Sequence, residues 1–253
     1  MDDNAQLEEM TWPEARDRFA DGAVPIVPLG TLEQHGLHLP LGSDAIVPHE
    51  LAKRLADEAN VIVMPPVYYG FVPATRDWPG GITISHDVVE RTFREITDGL
   101  IHHGADRILL LTGHPEHEGI IKEVARKVAD DEPDVELMTM GYWSSPILDV
   151  IQETAEHFGG HAHEPETSIM LALRPELVHM DRAVAEESTG RWGGEVVTDH
   201  EDLLYEPVEN TLEHEHETTG TGGDPFGASA EKGEAMVDAW VDRMAGFLDD
   251  WTA

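Results

Sequence analysis

The chain has 253 residues, and its 51 acidic against 16 basic side chains give a formal net charge of −35. Such a surface repels itself in dilute buffer and is screened only in molar salt, where the Debye length falls to about 3 Å. It excludes nucleic acid and anionic membranes as partners, since phosphates need a clustered basic patch. Cysteine is absent, so disulfides and thiolate zinc sites are excluded, and any metal must rest on His, Asp and Glu.

The acids lie scattered among apolar residues rather than in blocks. That fits a folded protein adapted to a very salty, halophilic cytoplasm better than an acidic disordered segment. The start, Met1-Asp2-Asp3-Asn4, lacks the basic and apolar regions of a secretory signal, and no run approaches the roughly 18 apolar residues of a membrane span. The expected location is cytoplasmic.

Short apolar runs bounded by turn residues alternate with amphipathic stretches, the pattern of a parallel sheet with helices on its faces. In chain order the pattern predicts a strand at 24–29, a helix at 46–58, a strand at 61–64, a helix at 87–103, a strand at 107–111, a helix at 116–130 and a strand at 135–140. A further apolar helix follows His163. Residues 188–225 carry Gly190, Gly193, Gly194, Gly220, Gly222 and Gly223 and a His/Glu tract, and read as a long surface excursion over a site or a subunit contact. The last helix is marked by Met236, Val237, Trp240, Val241, Met244, Phe247 and Leu248, which recur at intervals of one, three and four. The expected class is α/β: a single layered α/β/α domain over 1–253 with a mostly parallel central sheet.

In such sheets ligands bind at the loops leaving the carboxyl ends of strands. PLGTLEQHGLHLPLGSD, at 28–44, leaves the first strand and carries Glu33 and His35 two apart, hence on one side of an extended segment, with Asp44 after a turn. LLLTGHPEHEG, at 109–119, leaves the third strand and repeats the spacing with His114 and Glu116. Two His/carboxylate pairs and one shared carboxylate suit two metals: Glu33, Asp44 and His114 on one, His35, Asp44 and Glu116 on the other. A third segment, HAHEPETSIMLAL, adds His161, His163, Glu164 and Glu166. Against this, 15 histidines among 51 acids will produce adjacent pairs by chance, and a solvated surface pair is the commoner meaning of any single one. His38, His49, His86, His102 and His103 are read as structural, and His214 and His216 as solvated.

These segments resemble the creatininase family of metal-dependent amidohydrolases. The likeness rests on P-L-G-T-L-E-Q-H-G-L-H-L-P with Asp44, on T-G-H-P-E at 112–116, on Gly141-Tyr142-Trp143, and on E-T-S-I-M-L-A-L running into R-P-E-L-V-H-M-D-R. It implies a layered α/β fold and two divalent ions, zinc or manganese, on Glu33, His35, Asp44, His114 and Glu116. It also implies catalytic roles for His161, Glu116 and Trp143, and supporting or substrate contacts from Glu166 and Tyr142. The reaction implied is hydrolysis of a C–N amide bond in a small molecule such as creatinine or a related lactam, by a homo-oligomer, a hexamer in creatininase. One departure bears on the substrate: where creatininase has a tryptophan, and a glutamate before its catalytic histidine, this chain has His157 and Gly160. Deformylation of a formylaminopyrimidine nucleotide, with Arg76 or Arg174 taking the phosphate, is one alternative. A peptide-processing hydrolase and a catalytically silent metal-binding scaffold are the others.

Overall fold

The computed structural model describes residues 5–144, 146–157, 160–186 and 218–253. Thr11 opens the first helix, α1 (Trp12–Ala20): Pro13 suits the first turn and Glu14 reaches back to accept the Thr11 amide at 2.6 Å. Then follow β1 (Val24–Leu29), α2 (Ser43–Leu55), β2 (Val61–Val63), α3 (His86–His102), β3 (Arg107–Thr112), α4 (His117–Asp131) and β4 (Glu136–Gly141). The chain continues through α5 (Leu148–Thr154) and α6 (Glu164–Leu173) and closes with α7 (Ala230–Thr252).

The four strands form one parallel sheet in the order β2-β1-β3-β4. Alternation along the central strands divides the core. Val24, Ile26, Leu109 and Leu111 face α2, α6 and α7, where Trp240 is fully buried, while Val27, Leu29, Ile108 and Leu110 face Val89 and Phe93 of α3 and Val124 of α4. The result is the expected α/β/α layering. No helix among the described residues is long and apolar enough to cross a membrane.

Most boundaries fall within a residue or two of expectation. The exception is α2, which starts at Ser43 rather than 46: its first turn is polar, so apolar periodicity detects only the part that packs on the sheet. Helices α1 and α5, not expected, bury little or nothing of their own length. Of the 188–225 excursion, residues through 217, including His214 and His216, lie outside the described residues. Its end is described and is not a surface feature: Thr221 is fully buried, and Gly220 and Gly222 bond to the loops holding His35 and His161. Glycines there let two backbones approach closely, which composition alone reads as a loop.

Candidate metal centre

The site lies beyond the carboxyl ends of β1 and β3. Gly30 and Gly113, one residue past each strand, make room for α2: a Cβ on Gly30 would lie 2.3 Å from the Ala45 nitrogen, and one on Gly113 would lie 1.9 Å from the Asp44 carbonyl oxygen. The first turn of α2 is thereby seated between the strands, and Asp44 is brought to their ends, where the helix dipole also favours its charge.

Asp44 is buried and fully engaged. Its Oδ1 meets His35 Nε2 at 3.0 Å, while its Oδ2 takes the Thr31 hydroxyl at 2.5 Å and stands 3.2 Å from His114 Nδ1. The same His114 Nδ1 is 3.0 Å from Glu33 Oε2, and the opposite nitrogen of the ring is 3.0 Å from Glu116 Oε2. His35 donates from Nδ1 to the Glu33 carbonyl at 3.2 Å, which presents its Nε2 to Asp44. His161 Nε2 donates to the Gln34 carbonyl at 2.5 Å and stands 4.0 Å from Glu33 Oε1. Glu166 accepts the Ala162 amide at 2.6 Å and lies 3.4 Å from His163 Nδ1. Ala162, with φ 53°, is the one described non-glycine residue in the left-handed region, and it sits between two histidines of the site.

Two sets of donors converge, each within 4.8 Å: Glu33, Asp44 and His114, and His35, His161 and Glu166. The first is the triad expected from sequence. In the second, His161 and Glu166 stand with His35, while Glu116 meets the far nitrogen of the His114 ring, whose Nδ1 faces Asp44. His38, read from the sequence as structural, lies close by. It is fully buried, its Nε2 is 3.0 Å from Thr167 Oγ1, and a Cβ on Gly36 would lie 3.0 Å from its Nδ1. Sequence reasoning also passed over Thr31, although Thr31 and Glu33 keep the same two-residue spacing as Glu33 and His35.

The electrostatics ask for positive charge. Burial opposes ionisation of His35, yet Asp44 outweighs it and holds the ring at about 10. Burial likewise opposes protonation of His114, but Glu33 and Asp44 raise it well above the usual histidine value. Asp44 is held well below the usual carboxylate range, burial being overcome by His35 and His114. Glu166 is held at about 2, again against burial, by His163 first. By contrast, burial and the charge of His35 lower His161, and burial pushes His38 down to about 4. Buried carboxylates that stay ionised, beside two imidazoles that hold a positive charge this tightly, have the donor chemistry of a divalent-metal site.

Beside the second set opens a cavity of about 210 Å³, bounded by Trp143, Tyr142, Pro115, Gly160, His163 and Glu166 among others. Tyr142 is buried, which raises its phenol well above the usual value, and it meets Trp143 edge-on at 5.2 Å. Among the described residues no lysine or arginine lines this cavity. Arg76 pairs with Asp77, and Arg174 with Glu50 and Glu176.

A family model, Creatininase, described as creatinine amidohydrolase, matches residues 8–248. Creatinine amidohydrolase of Pseudomonas putida is 31% identical over 257 residues, covering 94% of this chain and 93% of its own. A 3-dehydro-scyllo-inosose hydrolase of Thermotoga maritima is 27% identical, covering 96% and 82%. Among solved structures, a manganese creatininase superposes with a TM-score of 0.81 at 29% identity, and a mutant creatininase of Zn-Zn type with 0.82 at 28%; each comparison covers 98% of both chains.

Proposed function

This chain belongs to the creatininase family, and on that premise we propose that it is a dinuclear-metal hydrolase of a C–N amide bond in a small molecule, creatinine or a related cyclic amide. The observation carrying the reading is the convergence of the donors Glu33, His35, Asp44 and His114, with His161 and Glu166 alongside them, beside one small cavity. Glu33, Asp44, Glu116 and Glu166 together offset the charge of two divalent ions. We treat 1–253 as one catalytic domain acting as a homo-oligomer.

Zinc or manganese would supply Lewis acidity toward the scissile carbonyl and the attacking water. The chain's own residues do the rest. Glu33, Asp44 and His114 would hold one ion, and His35, with Nδ1 tied to the Glu33 carbonyl, would turn Nε2 toward the other, with Asp44 shared and Glu116 completing the set. His161 donates from Nε2 to the Gln34 carbonyl, which fixes its orientation; kept neutral by burial, the ring takes up the proton released by the attacking water and passes it to the leaving nitrogen, a step worth about 10² to 10⁴ in rate. Glu166 fixes the Ala162 backbone beside it. Trp143 and Tyr142 wall the cavity and exclude water.

The cavity also favours a neutral, compact substrate over a nucleotide. Among the described residues, a phosphate there would meet Glu166 and His163 but no lysine or arginine. The testing experiment is product release, in molar salt with zinc or manganese, from creatinine, related lactams and formylaminopyrimidines. Ring opening of a lactam supports the reading. Formate release selects the deformylase, and metal binding with no turnover on any substrate selects the silent scaffold.

A further inference from the structure

The Gly220–Gly223 stretch reaches the metal centre, and a side chain outside that centre holds it there. Glu186 Oε1 accepts the Thr218 amide and hydroxyl, each at 2.9 Å, and its Oε2 accepts the Thr219 amide at 3.0 Å and hydroxyl at 2.5 Å. The Glu186 backbone exchanges both hydrogen bonds with Gly223, at 3.1 and 2.9 Å. One residue back, Gly222 exchanges both with His161, at 2.9 and 2.8 Å, and the Gly220 carbonyl takes the Gly36 amide, next to His35, at 3.2 Å. The fit has no slack: a Cβ on Gly160 would lie 1.7 Å from the Gly222 oxygen, and one on Gly36 would lie 2.5 Å from Thr221 Oγ1.

We propose that Glu186 is a positioning residue for the metal centre: by gathering Thr218 and Thr219 it sets the register of Gly220–Gly223, and that stretch fixes the backbone of His161 and of the loop carrying His35. The metal part of the claim rests on the dinuclear reading above; the backbone part does not. A carboxylate suits the task because it accepts on both oxygens and donates nothing. Burial works against its charge, but the Thr219 and Thr218 donors prevail and hold it at about 2, so it is ionised at any working pH. Glutamine in its place turns an NH₂ toward one of the two backbone amides. A threonine hydroxyl can rotate to accept from that NH₂, but a backbone N–H cannot, so one tie is lost. Thr218 is exposed and Thr219 only partly buried, so the loss falls on local geometry rather than on the core.

The test compares wild type, Glu186→Gln and a Thr218→Val/Thr219→Val double variant, which removes both hydroxyls and keeps both amides. In the metal-free proteins, amide hydrogen exchange at Gly36, His161 and Gly222 is expected to accelerate about tenfold in Glu186→Gln and less in the threonine variant, with β1 and β3 amides unchanged. Zinc titration should show one of the two ions bound about tenfold more weakly in Glu186→Gln, with an altered visible spectrum when cobalt(II) is substituted. Unchanged exchange at these amides overturns the proposal, as does equal acceleration everywhere, which is a general loss of stability. Fewer than two zinc ions on wild type sinks the dinuclear reading instead, and exchange still decides the role of Glu186. If Glu186→Gln does not fold, the same comparison is made on the threonine variant.

Discussion

Gly113 tests how the centre is assembled. Its missing Cβ would lie 1.9 Å from the Asp44 carbonyl oxygen and 2.9 Å from the Asp44 Cα, where real contacts stay beyond 3.0 Å. Gly113→Ala therefore forces the first turn of α2 back by roughly 1 Å. That turn carries Asp44, whose bonds of 2.5 Å to Thr31 and 3.0 Å to His35 cannot survive such a move. Overpacking costs about 1–3 kcal/mol, and losing a buried charge pairing costs about 3–5 kcal/mol. Partial relaxation puts the expected loss at about 2–5 kcal/mol, with metal affinity falling at least about tenfold. Gly119, exposed in α4 with nothing within 4 Å of its absent Cβ, is the control: Gly119→Ala should stabilise by about 0.5–1 kcal/mol. Urea unfolding of the metal-free proteins in molar salt, paired with zinc titration, reads both quantities. A Gly113→Ala protein that unfolds with wild type and takes up zinc equally well refutes the seating of α2.

Asp44→Asn should leave at most one zinc per chain, measured by elemental analysis after dialysis. His161→Asn should keep the metal content and lower kcat about 10² to 10⁴-fold on whichever amide wild type cleaves. His35 is raised to about 10 in the metal-free protein, Asp44 outweighing burial, so the stability it contributes is complete below about 6.5 and disappears as pH rises through about 10. Thermal melts of metal-free protein should fall across that window, and zinc, which displaces the proton, should bind more tightly across it; a flat profile contradicts the pairing with Asp44. Finally, a net charge of −35 predicts that raising KCl from dilute to molar concentration increases the melting temperature by about 10 °C, several kcal/mol for a chain this size.

The sheet was legible because β1, β2 and β3 are short apolar runs buried on both faces: β1 occupies the expected residues 24–29. Helix α7 was legible through a broad apolar face over four turns. Helix α1 escaped notice despite the Thr11–Glu14 start signal, because it buries none of its residues. In the site, two-residue spacing brought Glu33 and His35 to one side and Asp44 and His114 to the same centre. It could not tell which edge of the His114 ring would meet Glu116, since that depends on how β3 hands over to α4. Nor could local pattern show that Glu186, Gly222 and His161 pair across the chain, or that His38 lies buried behind Thr167. Those are tertiary facts, set by the close approach that Gly36, Gly160 and Gly220 permit.

The central claim is that two metal ions drive hydrolysis in this chain. The most direct test is metal content per chain, by elemental analysis of protein purified in molar salt, with turnover of a lactam measured on the same sample before chelation, after it and after zinc or manganese is restored. Two ions per chain, with activity lost and regained in step, is the result expected. One ion or none, with no turnover after reconstitution, contradicts the account.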